Sequence, residues 1–237
     1  MIHRIFSSLP SFKALEFKPG LNVLIAQKEA GASDKQTRNR AGKTSLIEVV
    51  HFLTGAGAGK DSEYRKDVLV GETFGMEFDL GGEKTSAERC GKEKSKIHVS
   101  GGRFIKGRST LSNSEWVEYL GEQMFGLNSI PDNAGRAPKF RSLFAYFVRR
   151  QLSGAFTTPE KQATMQQPGD YQVALLFLLG LDWKIASDWQ QIRDREKTLK
   201  ELKKAAGAGA FGSIIGKAAD LRTRLTVAEA RLNGLKN

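Results

Sequence analysis

A Gly-Lys-Thr triplet at residues 42–44 lies between two apolar segments and limits the folds that this sequence can adopt. Before it, residues 21–25 have the apolar composition of a buried strand, and a hydrophilic stretch follows them. After it, residues 46–53 predict an almost wholly apolar helix of about three turns. The order of strand, polar loop, Gly-Lys-Thr and buried helix is the one that a phosphate-binding loop requires.

Such a loop binds phosphate because consecutive backbone N–H groups and the positive end of the following helix dipole face the anion. Gly42, Lys43 and Thr44 supply the G-K-[ST] end of the G-x-x-x-x-G-K-[ST] pattern, but Thr37 stands where its first glycine would be. A non-glycine residue at positive φ costs about 1 kcal/mol or more. We therefore expect the loop to follow a modified path or to bind nucleotide weakly, and a chance triplet before a core helix is the alternative.

The composition of the 237 residues, 40% hydrophobic and 27% charged, is that of an ordinary globular protein. No apolar stretch approaches the roughly 18 to 20 residues that cross a bilayer, and the first residues lack the features of a secretory signal. One cysteine, Cys90, and three histidines without ligand spacing argue against disulfide scaffolds and zinc sites. We expect a cytoplasmic protein, free or associated with the nucleoid, with no membrane partner.

The formal charge of +11 favours an anionic partner, and nucleic acid before a membrane surface. Basic residues cluster at 92–96, 103–108 and 149–150 and recur between residues 197 and 231. Each cluster alone is more often a solvated surface, and an inert basic protein is the alternative. Taken together, the clusters predict binding to double-stranded DNA without sequence preference.

The rest of the chain predicts an α/β fold with an antiparallel β layer. Residues 55–112 contain short alternating segments between Gly-rich turns, which predict that layer. Ser114 is predicted to cap a helix over residues 115–125, and residues 140–151 predict another. From residue 184 onwards a charged helix carries apolar residues at the spacing of a coiled coil, and such a stripe needs a partner helix. We expect a mixed, partly β-layered sheet around the helix that begins at Thr44.

The motifs resemble the N-terminal lobe of SMC-like ATPases of the ABC type, a group that includes the cohesin and condensin heads and RecF. The matching segments are residues 11–13 (Ser-Phe-Lys), 16–25 (Glu-Phe-Lys-Pro-Gly-Leu-Asn-Val-Leu-Ile) and 39–48 (Asn-Arg-Ala-Gly-Lys-Thr-Ser-Leu-Ile-Glu). Residues 140–150 are also similar to the SMC-like subunits of bacterial anti-phage and anti-plasmid defence systems such as Lamassu. The resemblance implies a P-loop head lobe over residues 1–183, followed by the start of a coiled-coil arm over residues 184–237.

The resemblance implies ATP and Mg²⁺ as cofactors and gives roles to matching positions. Lys43 would bind the β- and γ-phosphates and take part in catalysis, and Thr44 would ligate Mg²⁺. Lys13 matches a basic position near the phosphates, and Gln151 matches the Q-loop glutamine that contacts Mg²⁺ and the attacking water. Gln151 could equally be the polar end of a helix. The residues that would wrap the phosphates are Asn39, Arg40, Ala41, Gly42, Lys43, Thr44 and Ser45.

In this family the signature serine, the Walker B carboxylates and the switch histidine lie on a C-terminal lobe that follows the coiled coil. No apolar strand ending in Asp-Glu occurs after residue 181. We therefore expect half of a catalytic head, whose C-terminal lobe belongs to a longer form of this polypeptide or to another chain. Hydrolysis in such ATPases needs two heads that face each other, so a homodimer is expected.

Three functions agree with these features. The first is an SMC-like ATPase subunit that couples head engagement to DNA sensing or to an effector nuclease in prokaryotic defence, with effector or accessory subunits as partners; a DNA-repair ATPase is its close variant. The second is a scaffold for DNA and proteins without ATP turnover. It is favoured by Thr37 and by Arg40, which stands where many relatives carry a second glycine. The third, a small-molecule kinase, is the weakest because a coiled coil has no role there.

Overall fold

The computed structural model describes residues 1–25, 42–102, 109–131, 136–208 and 218–234. The chain forms two compact units, Met1–Ser187 and Asp188–Asn237. None of the helices in these described ranges combines the length and the apolar character that crossing a bilayer demands.

The first unit is built on a six-stranded sheet. Its strands are β1 (Ile2–Ser7), β2 (Leu15–Glu16), β3 (Thr73–Leu80), β4 (Glu83–Cys90), β5 (Lys96–Gly101) and β6 (Thr110–Ser112). The order across the sheet is β2-β1-β3-β4-β5-β6, and every neighbouring pair is antiparallel. The α/β class and the antiparallel layer are confirmed. The described strands form no parallel pair, however, so the mixed sheet that we predicted is absent from this part of the chain.

Six α-helices occur in the described ranges: α1 (Lys43–Leu53), α2 (Asn113–Phe125), α3 (Phe140–Phe147), α4 (Pro168–Leu178), α5 (Trp183–Gly207) and α6 (Ala218–Gly234). Short 3₁₀ turns lie at Glu63–Arg65 and Leu127–Ser129. The predicted helix after the Gly-Lys-Thr triplet is therefore present, and it begins at the lysine of the triplet.

The main core lies where the second half of α1 packs against β3 and β4. Phe52 stacks on Tyr64, with ring centroids 4.1 Å apart, and meets Phe74 edge-on at 6.3 Å. From the other direction α2 inserts Trp116, which is fully buried and lies edge-on to Phe78 at 6.4 Å. The contacts of Phe52 fix the last turn of α1 to the sheet, and the contact of Trp116 fixes α2 to the same sheet.

Residues 21–25 do not form the buried strand that their composition predicts. The segment begins at a turn that Asn22 closes. The Asn22 side chain accepts the Lys18 N–H at 3.0 Å and donates to the Lys18 carbonyl at 2.7 Å. No described strand pairs with this segment, and the side chains of Leu21 and Val23 are 92% and 67% exposed. A strand becomes buried only where neighbouring strands and helices cover it, and the described part of the chain supplies no such cover.

Two predicted helix ends are also corrected. Helix α2 is capped by Ser112 instead of Ser114, because the Ser112 hydroxyl accepts the Glu115 N–H at 3.2 Å while Glu115 accepts the Ser112 N–H at 2.9 Å. Helix α3 ends at Phe147 and does not reach Gln151. Its end is set at Val148, which leaves helical geometry and turns its carbonyl towards His51 at 2.8 Å.

The second unit consists of the part of α5 from Asp188 onwards and of α6. The apolar spacing in this part of the sequence predicts helices, and the described residues form them. Their large apolar side chains are about half exposed, between 47% and 59%, at Trp189, Ile192, Leu199, Leu202, Leu221, Leu225 and Leu232. The coiled coil itself stays a prediction.

Candidate functional site

The first turn of α1 is open to solvent. Lys43, Thr44 and Ser45 are all exposed, and among the described residues no side chain caps the helix and no acidic residue lies in this turn. The first intrahelical bond runs from the Leu46 N–H to the Gly42 carbonyl at 3.0 Å. Among the described residues no side chain accepts from the earlier N–H groups, which share this turn with Lys43 and with the positive end of the helix dipole. This arrangement is suited to an anion.

Gly42 holds the conformation that starts this helix. Its φ of 71° and ψ of 7° lie in the left-handed region, where a side chain is disfavoured. A Cβ atom at this position would meet no heavy atom within 4 Å, so the requirement for glycine comes from the backbone and not from crowding. The left-handed backbone at position 42 thus explains why the triplet has a glycine there.

Only part of the predicted loop lies within the described residues. Asn39, Arg40 and Ala41 fall outside them, as does Thr37, so their predicted roles are unchanged. Thr44 presents its hydroxyl on the exposed first turn, as a Mg²⁺ ligand would require. No group of three or more His, Cys, Asp or Glu side chains in the described ranges could hold a metal ion by itself.

Gln151 lies exposed in a turn just beyond α3, and an ion pair ties that turn to α1. Arg150 contacts Glu48 at 2.9 Å, with about one third of each side chain exposed. Glu48 follows Thr44 by four residues, so both lie on one face of α1 about 5 to 6 Å apart. The pair therefore brings the backbone next to Gln151 to the same face of the helix as Thr44.

Lys13 is exposed in the connection between β1 and β2. Its neighbour Phe12 packs edge-on against Phe74 at 6.1 Å, and Phe74 in turn contacts Phe52 of α1. The connection is thus anchored to the same core as α1, while the lysine side chain itself points to no described partner in a hydrogen bond or ion pair.

The other end of α1 is closed by a polar network that the sequence analysis missed. Arg141 donates to the Thr54 carbonyl at 3.2 Å, to the Thr54 hydroxyl at 3.0 Å and to Nδ1 of His51 at 2.8 Å. Because a guanidinium can only donate, Nδ1 is the acceptor, and Nε2 carries the proton that bonds the Val148 carbonyl at 2.8 Å. His51 is therefore held as one neutral tautomer.

The charges around this network explain its protonation states. Burial, followed by the neighbouring charges of Arg150 and Arg141, lowers the pKa of His51 to about 4. Burial also lowers the pKa of Arg141 to about 10, with Arg150 and Arg89 acting in the same direction. At neutral pH the histidine is uncharged and the arginine charged, so His51 acts as a structural hydrogen-bonding group and not as an acid or base.

Arg89 on β4 is the second buried cation at this end, with 1% of its surface exposed. It donates to the carbonyls of Phe52 at 2.6 Å and Ala56 at 2.8 Å, and its guanidinium lies 4.4 Å from the Phe52 ring centroid. The alternation along β4 was the available signal, since Thr85, Ala87 and Arg89 all point inward. Burial lowers the pKa of Arg89 to about 10.

The predicted basic clusters are only partly available for DNA. Arg149 donates to the carbonyls of Thr158 and Pro159, and Arg150 pairs with Glu48. Lys96 contacts Glu93 at 3.1 Å on the surface. Residues 103–108 lie outside the described ranges. The pair at 149–150 therefore supports the fold, whereas the other basic residues keep their predicted role.

No protein-family model matches the sequence, and no curated protein is similar to it. The resemblance to SMC-like ATPases therefore rests on the motifs in this chain alone. Within the described part of the chain, the geometry shows a helix start without a side-chain cap directly after a left-handed glycine.

Proposed function

We propose that this chain binds ATP and Mg²⁺ at the start of α1 and acts as the N-terminal lobe of an SMC-like ATPase. The observation that carries the proposal is the exposed first turn of α1, with left-handed Gly42 before it and Lys43 and Thr44 on it. Outward N–H groups, a helix dipole and an ammonium favour the phosphates, and the threonine hydroxyl favours Mg²⁺. ATP supplies the hydrolysable phosphate bond when it is bound.

The exposed run at residues 21–25 supports a missing second lobe. Four of its five side chains are large and apolar, and those of Leu21, Val23 and Ile25 are between 67% and 92% exposed. Such a segment gains stability when strands pair with it and exclude water. A C-terminal lobe, supplied by a longer form of the polypeptide or by another chain, would provide that cover next to the phosphate loop.

The second unit and the charge support the remaining parts of the proposal. The half-exposed apolar residues of α5 and α6 fit helices that pair in a coiled-coil arm. The net charge of +11 fits a protein that meets duplex DNA while two heads engage as a homodimer. In prokaryotic defence, this engagement would control DNA sensing or an effector nuclease held by accessory subunits.

Equilibrium binding of a fluorescent ATP analogue with Mg²⁺ to the full chain tests the nucleotide site. We expect Lys43→Ala to weaken binding about tenfold or more, because a charge-assisted contact to phosphate is lost. Lys60→Ala is the matched control, since Lys60 also follows a glycine and is exposed but lies after α1 instead of before it. Equal affinity of the wild type and Lys43→Ala would reject the proposed site.

The second candidate is a scaffold that binds DNA without ATP turnover. It is favoured by Thr37 and Arg40, which depart from the usual loop pattern, together with the positive charge. Salt titration of duplex DNA binding addresses this function, because phosphate contacts make affinity fall steeply as salt rises. Salt-dependent DNA binding without any nucleotide binding would support the scaffold, and a flat salt dependence would argue against duplex binding in both candidates.

A further inference from the structure

A cavity of about 260 Å³ opens beside the second half of α1, away from the proposed nucleotide site. It lies between α1, α3 and the segment that follows α3, and its polar walls come from His51, Arg141, Ser142, Arg150, Ser153 and Gln162. His51 follows Thr44 by seven residues, which places the cavity about 10 Å further along the helix axis. The cavity is thus separate from the first turn of α1.

The walls of this cavity carry two arginines, and Glu48 outside the lining pairs with one of them, Arg150. The described residues that line it include two arginines and no carboxylate. The described hydrogen bonds of Arg141 all go to uncharged acceptors, at Thr54 and His51. Arg141 is partly buried and forms no ion pair with a described residue, so an anion in the cavity would give it a direct counter-charge.

Arg150, which lines the cavity, has a nitrogen atom that makes no hydrogen bond to a described residue. Its Nη2 atom pairs with Glu48 at 2.9 Å, but its Nε atom is buried and has no hydrogen-bond partner among the described residues. Buried polar atoms in native proteins nearly always have a partner. The free Nε donor therefore indicates a group that the protein binds here, while Glu48 keeps the other end of the guanidinium.

We propose that this cavity binds a phosphate group, either inorganic phosphate or the phosphate of a small monoester. The donors on its walls come from two arginines, the Ser142 hydroxyl and the Gln162 amide, and the Ser153 hydroxyl, which donates to the Arg150 carbonyl at 3.1 Å, could turn to the ligand. Together they match the several acceptor oxygens of a tetrahedral dianion. A planar carboxylate has two oxygens and would leave donors unused. The volume of about 260 Å³ lies below the roughly 300 to 1,000 Å³ of drug-sized ligand pockets, which excludes a whole nucleotide.

Calorimetric titration of the full chain with inorganic phosphate at constant ionic strength tests the proposal. Arg150→Gln removes both the charge and the Nε donor, so we expect binding to weaken about ten- to a hundredfold. Arg4→Gln is the matched control, since Arg4 forms an Arg–Glu pair with Glu77 at 4.0 Å outside the cavity, and it should bind phosphate as the wild type does. Circular dichroism checks that each variant is folded, and Ser153→Ala, which removes one lining hydroxyl, provides a milder second variant.

Further titrations distinguish the free ion from a phosphate monoester, and this cavity from the start of α1. Glycerol 2-phosphate that binds as tightly as inorganic phosphate identifies a monoester ligand, whereas binding of inorganic phosphate alone identifies the free ion. Binding that survives in Lys43→Ala supports this cavity, whatever the outcome for ATP at the start of α1. Absence of phosphate binding, equal binding in Arg150→Gln, loss of binding only in Lys43→Ala, or equally tight binding of acetate would each overturn the proposal.

Discussion

The two ends of helix α1 differ in almost every physical respect. The last five residues, from Val49 to Leu53, are buried, whereas the first three, from Lys43 to Ser45, are exposed. Side chains also bind three successive carbonyls at the buried end: Arg89 binds that of Phe52, Trp116 that of Leu53 at 2.8 Å and Arg141 that of Thr54. At the exposed end no described side chain binds the free N–H groups.

This asymmetry separates stability from binding along one helix. Carbonyl groups at a helix end lack intrahelical partners, and two of the three side chains that satisfy them here are cations, which the negative end of the helix dipole favours. These contacts join α1 to β4, α2 and α3. The first turn takes no part in this network, and no side chain in the described ranges occupies its N–H groups, which suits an anionic ligand.

Replacement of Arg89 by Met should produce the largest loss of stability. The variant removes the side-chain donor of the carbonyls of Phe52, Ala56 and Lys94 and the cation packed on the Phe52 ring, and we expect unfolding to require about 3 kcal/mol less free energy. Urea denaturation followed by circular dichroism measures this difference. Lys84→Met on the same strand is the matched control, because Lys84 is 64% exposed and should change stability by about 1 kcal/mol or less. Similar losses in both variants would contradict the special role of the buried end.

Lowering the pH should destabilise the protein through His51. The pKa of this residue is about 4 in the folded protein and 6.5 in its ordinary state, so the unfolded chain binds the extra proton between these values. Stability is therefore fully present above about pH 6.5 and falls by up to about 3 kcal/mol as the pH drops through 4. Denaturation curves at several pH values measure this slope.

Two histidine variants isolate the contribution of His51 to that slope. His51→Gln removes the titrating group but keeps an amide that can donate to the Val148 carbonyl, so the slope between pH 6.5 and 4 should largely disappear. His98→Gln removes a histidine whose side chain is 54% exposed and should leave the slope unchanged. The same slope in His51→Gln and in the wild type would show that other groups cause it.

The exposed end of α1 was easier to predict from the sequence than the buried end. The triplet at residues 42–44 has a fixed spacing, and the apolar run after it has a helical composition, so both the helix and its start could be predicted. The buried end depends on Arg89 and Arg141, which reach α1 from positions 37 and 87 residues away from their carbonyl partners. The alternation along β4 indicates that Arg89 points inward, but no local pattern names a carbonyl partner at such a separation.

Residues 21–25 show the opposite failure. Their apolar composition is a clear local signal for a buried strand, yet burial requires partner strands, and the described residues provide none. Composition shows that a segment would be stabilised by burial, whereas the topology of the fold determines whether other strands and helices bury it. The capping box of α2 has a sequence signature, since Ser112 and Glu115 stand at the required spacing, whereas the predicted cap, Ser114, lies two residues further on.

Replacement of Gly42 by Ala should have the smallest effect on stability. An alanine at φ 71° costs about 1 kcal/mol, and the added Cβ meets no heavy atom within 4 Å, so no packing penalty is added. Gly57→Ala is the control, because this exposed glycine has open space and no positive φ, and the change should be neutral or slightly stabilising. Since the buried end keeps α1 in place, Gly42→Ala should stay folded while its altered helix start weakens ATP binding. A loss as large as that of Arg89→Met would mean that the first turn also supports the fold, and the separation of stability from binding along α1 would fail.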